Sequence, residues 1–329
     1  MTPIAPHISA FLRERLPLER QASEHTCDSY AYAFQLLFDF ASKKLKVPPS
    51  ALHLEQIDAP LVLSFLQHLE SVRGNTASSR NVRLAAIKSF MRFVEHRIPS
   101  ALDQVHRILA IPVKKTDTRL VGHLDVKEMQ AVVDAPDPST RYGIRDRAML
   151  HLGFTAGLRV SELVGLRLND LTWNPTPCVL VHGKGRRERA LPLCKESADA
   201  IRAWLSVRGE ALVPELFLNA RGRNMTRSGF EYVLRKHVRT AAESCASLVA
   251  KRVSPHTLRH TCGMITLQAT GDIRKVSLWL GHTSTQSTDI YTRADPTQKL
   301  EAIEGITPPI LRRGRFRPPD KLISLLKRP

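Results

Sequence analysis

The chain has 329 residues, long enough for two domains of roughly 100–200 residues each. Hydrophobic residues make up 43%, which excludes global disorder, and 49 Lys and Arg against 31 Asp and Glu leave a charge of +18. That surplus calls for a polyanionic partner, nucleic acid ahead of a membrane surface. Cys27, Cys178, Cys194, Cys245 and Cys262 include no CxxC pair, so neither a disulfide framework nor a cysteine-rich zinc site is expected. No apolar run approaches the ~18 residues of a membrane span, and the N-terminus has no long apolar stretch. A soluble, cytoplasmic protein with no membrane partner is the expectation.

Residues 1–110 carry helical periodicity only. Tyr30, Phe34, Leu37, Phe38 and Ala41 fall on one helical face. Asp58-Ala59-Pro60 starts another helix, with Asp58 as N-cap and Val62, Phe65, Leu66 and Leu69 on its apolar side. Leu84, Ile87, Met91 and Val94 form a third stripe. Beside that stripe stand Arg80, Arg83, Lys88 and Arg92, either a solvated face or, as the net charge favours, phosphate contacts. Residues 111–122 hold a Pro, a basic pair and no apolar period, and are assigned to a linker. A new helix starts at Asp125, with Glu128 completing a capping box.

The second part is mixed. Residues 145–168 are helical on both sides of Gly157, and residues 179–182 and 189–193 alternate about the turn GKGRRE as a hairpin. Helices follow around Ile201–Leu205, Phe230–His237 and from Ser254 onward. The fold class expected is mainly α with a small antiparallel sheet in the second domain. Residues 309–329 are basic and Pro-interrupted, and are assigned to a flexible tail.

Several residues could carry chemistry. In SPHTLRHTCG, Ser254 is an N-cap and Pro255 suits the first helical position, so His256 and Arg259 share a face near a helix N-terminus, a ready anion site. They could equally be a surface His and Arg without a ligand. A metal set of His256, His260 and Cys262 is weaker, because His260 and Cys262 point to different faces and no fourth ligand is near. Arg159 follows a Gly between two apolar segments and needs a partner, either Glu162 at i+3, a phosphate, or both together. Lys184 sits between Gly183 and Gly185, with Arg186, Arg187 and Arg189 in the same turn; singly, each fits a solvated hairpin tip. Gly281 ends a helix, which puts His282 at a corner, and Tyr291 lies nine residues on.

Together these residues are what phosphodiester cleavage by a tyrosine needs. Guanidiniums offset the phosphate charge, and separate groups handle the leaving oxygen's proton and the phenol's proton. The chain resembles the tyrosine recombinase (phage integrase) family in its two-domain form. The family's ordered set of Arg, Lys, His-x-x-Arg, His or Trp, then Tyr appears as Arg159, Lys184, His256 with Arg259, His282 and Tyr291. The match covers roughly residues 120–300.

That resemblance implies a helical core-binding, SAM-like domain over 1–110 and a catalytic domain over 123–308, the two clamping DNA. It implies attack by Tyr291, a 3′-phosphotyrosyl link and a free 5′-OH. Arg159 and Arg259 would hold the non-bridging oxygens, Glu162 would orient Arg159, and Arg186 and Arg187 would contact DNA. Lys184 would protonate the leaving oxygen, His256 would act as acid and base, and His282 would bind the phosphate. Neither ATP nor metal cofactor is implied. The expected partners are double-stranded DNA, three further copies of the chain on two sites, and accessory DNA-binding proteins; residues 295–303 would dock on a neighbouring copy. The tail points to a mobile element. Chromosome-dimer resolution and type IB topoisomerase chemistry are the alternatives. A carboxylate transposase would need clustered Asp and Glu that the sequence lacks.

Overall fold

The computed structural model describes residues 1–116, 122–183, 188–281, 288 and 291. Lys184, Arg186, Arg187, His282, residues 295–303 and the 309–329 tail, all singled out above, lie outside the described residues. The chain divides into two units, Met1–Thr118 and Arg119–Pro329.

The first unit is helical. Helix α1 (Ile4–Ala10) runs on as a π-helical stretch (Phe11–Glu19), followed by α2 (Glu24–Leu45), α3 (Ala59–Ser71), α4 (Ala77–Glu95) and α5 (Leu102–Leu109). The caps are chemical: the Asp58 carboxylate accepts from the Leu61 N–H at 2.8 Å, with Pro60 in the first turn of α3. The stripes face one core, where Phe34, Leu37, Val62, Phe65, Leu84, Ile87 and Met91 are at most 2% exposed. Phe11, which periodicity did not single out, sits between Phe34 and Phe90 with ring centroids 6.1 and 5.4 Å away.

The basic face expected on α4 divides in two. Arg80 is only 4% exposed and donates to the Pro112 carbonyl at 3.1 Å. Lys88 donates to the Ile111 carbonyl at 2.6 Å, and burial, then Arg92 and Arg80, lower its pKa. Asn81 exchanges two hydrogen bonds with the Lys114 backbone. These side chains bind the segment that follows α5, whose backbone groups have left the helical ladder and need partners. Arg80 and Lys88, expected at the DNA interface, here bond their own chain's backbone, and residues 111–114 are strapped to α4. Arg83 lies over the Tyr32 ring at 5.1 Å, and Arg92 is exposed.

The second unit contains α6 (Val126–Asp134), α7 (Arg141–Thr155), α8 (Val160–Gly165), β1 (Leu171–Thr172), β2 (Cys178–His182), β3 (Glu188–Pro192), α9 (Lys195–Arg208), α10 (Arg227–Ser244), α11 (Pro255–Thr270) and α12 (Ile273–Leu280). The Asp125–Glu128 capping box forms as expected, at 2.8 and 2.9 Å. The β2–β3 hairpin pairs Leu180 with Ala190, and buries Val179, Val181 and Leu191 on the core side. Strand β1 adds an antiparallel third member to the sheet; at two residues it is too short to show alternation. No described helix is long and apolar enough to cross a membrane.

Candidate active site

The site is assembled at two helix ends. Gly157 breaks the α7–α8 run with φ +58°, and a Cβ there would lie 2.6 Å from Leu280 Cδ2 and 2.9 Å from Cys262 Sγ, so the position needs glycine. The break turns the Gly157 carbonyl inward and makes Arg159 the N-cap of α8. Glu162, one turn on, accepts from the Arg159 N–H at 2.9 Å and from its guanidinium at 2.7 Å. Of the partners foreseen for Arg159, Glu162 is in place.

The C-terminus of α12 is the other organiser. The last carbonyls of a helix lack intrahelical partners and carry partial negative charge. The Gly281 N–H, held at φ +64°, serves Ser277 and Leu278. The next three carbonyls each take a different arginine: Trp279 from Arg189 at 3.2 Å, Leu280 from Arg259 at 2.6 Å, and Gly281 from Arg159 at 3.4 Å. Arg259 also donates to the Gly157 carbonyl at 2.6 Å and is 4% exposed. Burial, then Arg159, lowers its pKa to about 10, so it stays charged at neutral pH. Arg189 forks onto Glu162, at 2.9 and 3.3 Å. Among the described residues three guanidiniums thus gather with one carboxylate, which bonds two of them, an excess of positive charge that suits an anion with more than one oxygen.

Tyr291 packs against this cluster, 1% exposed, in a pocket left open by Gly263, where a Cβ would meet the phenol ring at 2.6 Å. Its hydroxyl is 3.1 Å from His260 Nδ1. Burial raises the phenol's pKa to about 12, partly offset by Arg259. Burial, then His256 and Arg259, lowers that of His260 to about 4. Both are neutral at pH 7, and in the tautomer with its proton on Nε2 the imidazole accepts the phenol's hydrogen bond at Nδ1.

His256 is exposed, with its ring stacked 6.2 Å from that of His260. The histidine on the phenol is thus His260 and not His256. The i, i+4 spacing of the two was a signal for a shared face, and sequence reasoning tested His260 only as a metal ligand. Arg189 was noted as one basic residue of a turn, and nothing in its local sequence marked it out. At the turn end of the hairpin His182 bridges Asp170 and Glu188, both at 3.0 Å; its bond to Asp170 chiefly raises its pKa.

Comparison with known proteins places this geometry. The model of the phage integrase family matches residues 123–298, and that of the phage integrase N-terminal SAM-like domain matches residues 8–97. The putative integrase/recombinase y4rC of Sinorhizobium fredii is 42% identical over 325 residues, covering 98% of this chain and 97% of that protein. Tyrosine recombinase XerC of Pelobacter propionicus is 33% identical over 310 residues, covering 94% and 97%. Among solved structures, the Tn1549 transposon integrase in complex with transposon right end DNA gives a TM-score of 0.69 at 16% identity, covering 94% of this chain and 100% of that one. XerH site-specific recombinase bound to palindromic difH substrate gives 0.65 at 23%, covering 87% and 81%. At these identities the solved structures establish the fold.

Proposed function

The chain belongs to the phage integrase family and is a tyrosine-type site-specific DNA recombinase, and on that premise we propose how its residues cut and rejoin DNA. Tyr291 attacks the scissile phosphate, forming a phosphotyrosyl bond to the 3′ side and releasing the 5′ oxygen. The observation that carries this reading is the Tyr291 hydroxyl on His260 Nδ1, within the field of Arg259 and Arg159. His260 receives the phenol proton as the bond to phosphorus forms. A full transfer beforehand is opposed by the gap between a phenol near 12 and an imidazole near 4, so deprotonation accompanies attack. Arg159 and Arg259 neutralise the non-bridging oxygens, Glu162 orients Arg159, and the family pattern assigns proton donation to Lys184, an acid–base role to His256 and phosphate binding to His282. The 5′-OH of a partner strand reverses the step and rejoins the DNA. The link conserves bond energy, so the chemistry asks for no ATP.

The substrate is double-stranded DNA bound at paired sites by four copies of the chain, passing through a Holliday junction, with accessory DNA-binding proteins as further partners. Residues 1–110 serve as the core-binding domain, where Arg83 and Arg92 are the cations of α4 not bonded to their own backbone, and Arg186 and Arg187 add contacts from the second unit. The protein works in the cytoplasm, on the nucleoid when bound. Because Tyr291 is 1% exposed, DNA binding must uncover the phenol before attack. With y4rC named an integrase/recombinase and XerC a tyrosine recombinase, recombination of a mobile element is the first reading and chromosome-dimer resolution the second. The test is to incubate the chain with fragmented genomic DNA, denature it, and sequence the DNA that stays attached. Wild type should retain a defined sequence and Tyr291→Phe none. An adduct surviving denaturation in Tyr291→Phe would overturn the assignment.

A further inference from the structure

Glu162 is almost fully enclosed, its side chain 5% exposed, and every acceptor position it offers is taken. A carboxylate has about four lone-pair sites. Here Oε1 receives Arg159 Nη1 and Arg189 Nη1, while Oε2 receives the Arg159 backbone N–H and Arg189 Nη2. Arg159 thus holds the carboxylate by one guanidinium nitrogen, and the fork belongs to Arg189, 13% exposed. Arg189 stands on β3 opposite Val181, reaches the Trp279 carbonyl through Nε, and packs against Gly281, where a Cβ would come within 2.9 Å of its Nη1. One side chain therefore joins the hairpin, the carboxylate beside Arg159 and the α12 terminus.

We propose that Arg189 is a positioning residue for DNA cleavage, which occupies Glu162 so that the Arg159 guanidinium stays open to the scissile phosphate. The inference rests on the recombinase reading above. Arg–carboxylate pairs close into a two-bond fork when nothing prevents it. With Arg189 gone, two acceptor positions on Glu162 fall vacant beside Arg159. The guanidinium then turns onto the carboxylate, leaves the Gly281 carbonyl, and is neutralised where the phosphate needs its charge. The loss appears in the cleavage step, because the phosphate's developing charge is what Arg159 would meet.

The test uses the full chain and a duplex carrying the sequence trapped on wild type, in two forms. One has an ordinary scissile phosphate, and the other a methylphosphonate, in which a methyl group replaces one charged oxygen. On phosphate, Arg189→Met should slow covalent-adduct formation by roughly 10–10²-fold, less than the ~10²–10³-fold of losing a direct transition-state donor. Arg189→Lys, which keeps the charge but cannot fork, should fall between. Mobility-shift binding should be unchanged in both. On the neutral linkage, which needs less cationic help, the gap between each variant and wild type should narrow to within a few fold. Equal slowing on both substrates would overturn the proposal and leave Arg189 a structural tie, as would full activity on phosphate. Should Arg189→Met fail to fold, the substrate dependence of Arg189→Lys decides alone. Absence of any adduct with wild type would instead bring down the recombinase reading itself.

Discussion

Two buried arginine–carboxylate clusters in the second unit look alike and differ in one respect. In the first, Arg145 Nε and Nη2 both donate to Asp146 Oδ1, at 2.9 and 2.6 Å, and Nη1 donates to the Leu218 carbonyl, while His237 Nε2 meets the other Asp146 oxygen at 2.8 Å. One arginine meets one carboxylate, all three residues are at most 6% exposed, and the cluster ties α7 to α10 and to the loop at Leu218. In the second, Arg159, Arg189 and Arg259 surround Glu162 and the last carbonyls of α12. The first pairs its charges one to one; the second keeps, among the described residues, a cationic surplus that suits an anion from outside. Burial of an arginine therefore says little about function, and the balance of charge within the buried set says much.

The sharpest way to break this contrast is to damage each cluster and ask what fails. Arg259→Lys should lower cleavage by ~10²–10³-fold while DNA binding persists, because the lysine cannot span two carbonyls and a phosphate oxygen. Adduct formation under single-turnover conditions measures it. Asp146→Ala should do the reverse. Stranding the Arg145 charge should cost about 3–5 kcal/mol in urea unfolding, with normal cleavage per folded molecule. A cleavage defect in Asp146→Ala at full stability would erase the distinction.

Smaller effects sharpen it. Gly263→Ala sets a methyl group against the Tyr291 ring, and overpacking of this kind costs about 1–3 kcal/mol. The displaced phenol should titrate below its value of about 12, nearer the ordinary tyrosine range, in an ultraviolet phenolate titration. The pH dependence of stability should carry a signature of His260. Its folded value near 4 lies below the ordinary 6.5, so between these the unfolded chain takes up a proton that the folded chain refuses. Stability from this group is full above pH 6.5 and is lost as pH falls toward 4. His260→Gln should flatten that part of a urea-midpoint profile, and an unchanged slope would count against the buried, neutral imidazole. The smallest effect belongs to the first unit. Arg92→Ala should weaken DNA binding and reduce the salt slope by about 0.9 if it meets one phosphate, whereas Lys88→Met should leave the slope alone and lower stability. A slope change in Lys88→Met would return that lysine to the DNA interface.

Much of this was legible in the sequence because much of it is local. Asp58, Asp125 and Ser254 act within one turn of their own helices, the apolar stripes follow helical period, and Val179 and Val181 alternate within five residues. The ordered set Arg159, Lys184, His256, Arg259, His282 and Tyr291 identified the chemistry, because that combination of charges and a phenol has few other uses. What only the tertiary structure decided comes from distant residues. Arg259 reaches Gly157 across 102 residues, Arg159 reaches Gly281 across 122, and His260 meets Tyr291 across 31. The use of a helix terminus as a triple arginine acceptor, the choice of His260 over His256, the role of Arg189, and the diversion of Arg80 and Lys88 to their own backbone all depend on which unpaired carbonyl or carboxylate lies within about 3 Å once the chain is packed. A side chain's chemistry is written in its type, but its partner is set by the fold, since buried polar groups bond to whatever acceptor packing brings near them.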